Sequence, residues 1–149
     1  MMKSKITLNI LIVLVFFNCK NTAKETKTTT LEEPKKYITS LDKSIERGQL
    51  VYEDFCVNCH MANGEGSPKV FPPLAKSDYL KNNQQASIRG IKYGQSGEII
   101  VNGETYNSVM AAQGLEDGEI TDVMNYINNA WGNSFADEIT DVDVAKITK

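Results

Sequence analysis

Cys56, Cys59 and His60 stand in the run Cys56-Val57-Asn58-Cys59-His60, which places two thiols and an imidazole within five consecutive residues. One turn of helix brings all three groups to the same neighbourhood. Cys-x-x-Cys-His is the attachment pattern for a c-type haem: the two sulfurs add to the vinyl groups of an iron porphyrin, and the following imidazole reaches the iron from the same side. His60 is the only histidine in the chain, and it sits where such a cofactor needs it. Other chemistries fit less well. A Cys56/Cys59 disulfide would leave His60 without employment. A closed zinc site asks for four ligands where three cluster, and a thioredoxin-like pair asks for a βαβ setting that the flanks do not offer.

With His60 on one side of the iron, function turns on what fills the other. The methionines are Met1, Met2, Met61, Met110 and Met124. The first two belong to the leader, Met61 is too near His60 to reach the opposite face, and Met124 lies on an apolar helical stripe that suits core packing. Met110 falls in a loop fifty positions after His60, and elimination makes it the expected sixth ligand.

These groups need a scaffold. Ser40 or Asp42 can cap a helix running from about Ser44 into the haem motif, with Gly48, Tyr52 and Cys56 at spacing four along an inward face. A glycine in mid-helix is unfavourable relative to alanine, so Gly48 predicts a second helix crossing closely there. Its partner is predicted near the other end of the chain. Glu116, Asp117 and Glu119 suit a first turn, Ile120, Val123, Met124 and Ile127 repeat at helical spacing, and Gly132 can end the helix. Between the two, residues 63–73 hold two glycines and three prolines and predict a loop wrapping the haem. Residues 83–93 predict a helix ended by Gly94. The stretch 98–106, with Asn102-Gly103 at its centre, predicts a two-stranded hairpin. Thr140-Asp141-Val142-Asp143 can start a short last helix.

The chain has 149 residues, 41% of them hydrophobic, which suits one domain with an appendage. Residues 1–18 carry Lys3 and Lys5 ahead of an apolar run too short to span a bilayer, as an export signal of lipoprotein type does. Val15-Phe16-Phe17-Asn18-Cys19 resembles a bacterial lipobox, making Cys19 the expected acylation site, although Asn18 replaces the usual small residue. Residues 19–41 are polar and read as a flexible tether with a reach of roughly 25 Å. Residues 42–149 form the expected globular domain. Charge changes sign along the chain: eight Lys or Arg face fifteen Asp or Glu from Ser44 onward, and eight face four before it. An acidic domain argues against nucleic acid and suits docking on a basic redox partner.

Residues 44–133 resemble a class I cytochrome c. The resemblance rests on Gly48/Tyr52/Cys56, the haem motif, Phe71-Pro72-Pro73-Leu74, Tyr106-Asn107-Ser108-Val109-Met110, and Val123/Tyr126. It implies an all-α fold with crossing terminal helices, haem-wrapping loops and the small hairpin insert. It also implies one covalent haem c with His60 and Met110 on iron, the Pro73 carbonyl accepting a hydrogen bond from His60, and Leu74 packing on the same haem face. The stretch from Gly97 to Asn133 is similar to cytochrome domains beside or fused to periplasmic dehydrogenases and copper nitrite reductases, and these or a terminal oxidase are the implied partners. In that group proline usually follows the ligand methionine, whereas here Ala111 does.

Two strong axial ligands imply a one-electron carrier that binds no substrate, and the leader with Cys19 implies that it is exported and held at a membrane by lipid, facing the periplasm or cell exterior. Arg89, Lys92, Tyr106 and Trp131 are candidates to reach the haem propionates, each with a simpler explanation as surface or core. The competing expectation is a haem enzyme or gas sensor with an open sixth position. Such a site wants a distal acid or base, and no Arg or Glu adjoins Met110.

Overall fold

A computed structural model describes residues 38–135 and 137–149, all within the unit Lys36–Lys149. The expected signal segment, Cys19 and nearly all of the expected tether lie outside the described residues. Helix α1, Ser40–Phe55, starts four residues earlier than the expected Ser44, so Ser40 and Leu41, assigned above to the tether, are helical. Thr39 is its cap, not Ser40 or Asp42. The Thr39 side chain accepts from the amide of Asp42, whose carboxylate accepts in return from the amide of Thr39. Asp42 therefore serves as the acidic third residue of a capping box.

Helix α2, Val57–His60, continues α1 after a joint at Cys56. Helices α3, Asp78–Asn82, and α4, Gln84–Tyr93, follow the loop. Strands β1, Ile99–Val101, and β2, Glu104–Tyr106, pair antiparallel with Ile99 opposite Tyr106. Asn102 (φ 52°) and Gly103 (φ 81°) make the left-handed two-residue turn that Asn-Gly favours. Asn102 and Asp78 exchange two amide-to-side-chain bonds of 2.7 and 3.0 Å, which tie the hairpin to the start of α3. Helix α5, Asp117–Asn129, opens with a capping box between Glu116 and Glu119, and α6, Asp141–Ala145, with one between Thr140 and Asp143.

The fold is held mainly by α1 crossing α5. Ser44, Gly48 and Tyr52 form the buried stripe of α1, and Gly48 meets the backbone of Asp122 so closely that a Cβ would collide with its carbonyl oxygen. Polar groups at the crossing are matched: Arg47 Nε and Nη2 donate to the two Asp122 carboxylate oxygens at 2.6 Å, and Ser44 Oγ donates to Oδ1 at 2.7 Å. Ile120, Val123, Met124 and Ile127 of α5 are buried beside Ile88 and Ile91 of α4, as their spacing predicts. The expected stop at Gly132 differs slightly. Helix α5 ends at Asn129 because Ala130 turns extended, and Trp131 and Gly132 then take left-handed backbone.

Candidate functional site

Cys56, Cys59 and His60 open onto one cleft of about 310 Å³, also lined by Pro72, Pro73, Leu74, Ile91, Val101, Tyr106, Met110, Met124 and Ile127. Among the residues forming its walls there is no Asp, Glu, Lys or Arg. Such a wall suits a flat apolar macrocycle. Both cysteines are free thiols, Cys56 buried and Cys59 exposed at the mouth. Burial pushes the Cys56 thiol up to about 11, with the Cys59 sulfur adding to the shift, so it stays protonated near neutrality.

His60 is 8% exposed, and burial holds its imidazole below the ordinary histidine pKa while its hydrogen bond to the Pro72 carbonyl works the other way. The ring is thus neutral. Its Nδ1 lies 3.0 Å from the Pro72 carbonyl. A carbonyl only accepts, so the proton sits on Nδ1, which leaves the Nε2 lone pair free for a metal. This corrects the expectation for Pro73, whose carbonyl is not the partner although the residue lines the cleft. In an extended segment successive carbonyls face opposite sides. Hydrogen bonds from Leu74 N and Ala75 N to Gly64 O, at 2.7 and 2.9 Å, fix the register in which Pro72 faces the ring. Leu74 is also among the cleft's lining residues.

The loop carrying Pro72 is anchored from behind by Asn133, which the sequence reading passed over. Its side chain donates to Leu74 O and Ile127 O and accepts from Lys76 N, so it joins the loop to the end of α5. Tyr52 adds a second brace: its hydroxyl donates to Met61 O at 2.7 Å, just after the haem motif. Its ring packs on Trp131 and Tyr126 with centroids 5.0 and 5.5 Å away.

Met110 is half-buried on the cleft wall and paired to Gln95 by two backbone hydrogen bonds, Gln95 N to Met110 O at 2.8 Å and Met110 N to Gln95 O at 2.9 Å. Met124 also reaches the cleft but is 1% exposed and embedded in the core cluster. Of the propionate candidates, Tyr106 lines the cleft. Arg89 instead donates to Thr148 O, Lys92 to Val144 O and Asp117, and Trp131 to Ala62 O. Those three are engaged in holding the fold.

An apolar cleft with two thiols and a neutral, oriented imidazole along its wall defines a domain that binds haem covalently. Residues 45–131 match the Cytochrome c family model, and the chain belongs to that family. Its domain is an electron-transfer module carrying one covalent c-type haem with iron, not an enzyme. Among relatives, cytochrome c-552 of Thermus thermophilus is 40% identical over 84 residues, 53% of this chain and 64% of that protein. The cytochrome c subunit of a quinone alcohol dehydrogenase from Gluconobacter oxydans is 30% identical over 104 residues, 67% of this chain and 21% of the subunit. The Cbb3-type cytochrome c oxidase subunit CcoP of Azospirillum brasilense is 28% identical over 107 residues, 64% of this chain and 34% of the subunit. The match thus spans under two thirds of each relative's length.

Proposed function

We propose that the protein is a one-electron carrier in which Cys56 and Cys59 would bind the porphyrin and His60 and Met110 would ligate its iron. When bound, the haem supplies a one-electron iron couple. The chain's residues set its conditions. Pro72 holds the His60 ring in the tautomer that presents Nε2, and the uncharged walls exclude water and disfavour the extra positive charge of the oxidised state. Met110 contributes a weak thioether donor, which favours the reduced state. The Cys59 edge is exposed, so exchange with a partner needs no opening of the fold.

What carries this reading is that Met110 and His60 line the same cleft, with no Asp, Glu, Lys or Arg and no second histidine among the wall residues to do distal catalysis. The relatives named as subunits of a dehydrogenase and an oxidase support a redox enzyme of one of those kinds as donor or acceptor. Export and lipid anchoring through Cys19 belong to the same proposal. Among the described residues no helix is long and apolar enough to cross a membrane. The test is the absorption spectrum of oxidised, exported holoprotein: a methionine-to-iron band in the far red is expected. Its absence together with rapid carbon monoxide binding by the reduced form would favour a sensor or enzyme instead.

A further inference from the structure

The chain beyond the family match folds back on the wall that carries Met110. The family model ends at residue 131, yet Val144 and Ile147 are 0% and 7% exposed and belong to the core cluster with Ile88 and Ile91 of α4. Three α4 side chains donate to backbone carbonyls of this segment: Arg89 Nε to Thr148 O at 3.1 Å, Lys92 Nζ to Val144 O at 3.2 Å and Tyr93 OH to Ile147 O at 3.0 Å. Lys92 also pairs with Asp117 of α5 at 2.7 Å, so one ammonium joins α4, α5 and α6. The segment's near end is fixed too, since Asn125 exchanges two hydrogen bonds with the backbone of Ile139. All of these grips on α4 fall at its C-terminal half. Immediately after it, Gly94 (φ 90°) turns the chain into Gln95, which is paired to Met110, and Gln113 N returns to Ile91 O at 3.1 Å. The Met110 loop is therefore hung from the end of α4.

We propose that residues 139–149 are a strap that holds the end of α4 and through it keeps Met110 seated, with Lys92 and Tyr93 as positioning residues for the sixth iron ligand. This rests on the reading of Met110 as that ligand. An incoming ligand enters only when the Gln95–Met110 pairing lets go, and the population of that open form depends on how firmly α4 is held. The strap acts on that population without touching the cleft.

The experiment uses full-length oxidised holoprotein with imidazole as the probe. Lys92→Met combined with Tyr93→Phe keeps the apolar bulk and removes both donors; it is expected to raise the imidazole binding rate roughly tenfold while the far-red methionine band persists without imidazole. Tyr93→Phe alone, which deletes one hydroxyl, gives the same direction at about threefold and serves if the double variant does not accumulate. Lys92→Arg keeps the cation and stays near the wild-type rate. Ser44→Ala, at the α1/α5 crossing, is the comparison: it lowers the unfolding temperature without speeding imidazole. Unchanged rates in the Lys92 and Tyr93 variants, or equal acceleration by Ser44→Ala at equal loss of stability, overturn the strap while leaving Met110 as ligand. A wild-type protein with no methionine band overturns the ligand assignment and the strap with it.

Discussion

Replacing Gly48 by alanine sets two opposed magnitudes against each other. In an isolated helix the change is favourable, because alanine gains about 1 kcal/mol over glycine in a helix interior. In this protein the new methyl would collide with the Asp122 carbonyl and lie 2.8 Å from Tyr126 Cβ. Backbone cannot rotate aside as a side chain can, so α1 and α5 have to separate. Overpacking of this kind costs about 1–3 kcal/mol. Separation also stretches the bond from Ser44 to Asp122 at 2.7 Å and the one from Asn125 to Ser44 at 3.0 Å, about 1 kcal/mol each. The net expectation is a loss of about 2–4 kcal/mol, equivalent to roughly 10–20 °C in unfolding temperature for a domain of this size. Thermal melts of both haem-loaded proteins, followed by circular dichroism, measure it. An unchanged or higher melting temperature would show that helix propensity governs this position and that the close crossing is not what α1 and α5 depend on.

Met110→Ala is expected to lower the reduction potential by more than about 100 mV, abolish the far-red band and admit carbon monoxide to the reduced protein; if only Met124→Ala does so, the ligand is Met124. Asn133→Ala strips partners from Lys76 N, Leu74 O and Ile127 O and should cost about 2–3 kcal/mol in denaturant unfolding, with a loss under 0.5 kcal/mol speaking against the anchor. The Thr140 hydroxyl, and then its amide, hold the Asp143 carboxyl below its ordinary pKa. Because the folded value is the lower one, this cap contributes fully above the ordinary carboxylate value and fades as pH falls through the folded value. Thr140→Val should therefore move the Asp143 midpoint upward in a carbon-detected NMR titration, and an unmoved midpoint would remove the cap from the explanation.

Much of the fold was legible because strong local signals agree with one another. Gly48 in a helix that otherwise buries Ser44 and Tyr52 announces a close crossing, and Asn102-Gly103 between β-branched residues announces the hairpin. Thr140 ahead of Asp143 announces the last helix. The misses have a common cause, which is that chemically equivalent neighbours compete. Thr39, Ser40 and Asp42 can all accept at a helix start, and only the backbone geometry picks Thr39. Pro72 and Pro73 offer identical carbonyls, and the register set by Gly64 decides between them. Asn125 and Asn133 gave no signal at all. An asparagine on a helix or in a loop looks the same in sequence whether it is solvated or, like Asn133, buried against three backbone groups. The hold of Lys92 and Tyr93 on the last residues was invisible for the same reason, since its acceptors are backbone carbonyls that any sequence supplies.

Mass analysis of the proteolytic fragment containing Cys56 and Cys59, taken from protein exported by cells that make c-type haem, asks most directly whether this chain is built around a covalent porphyrin. One haem per chain, attached through both sulfurs, is the expected result. Two unmodified thiols, or a Cys56–Cys59 disulfide, in properly exported protein would contradict it.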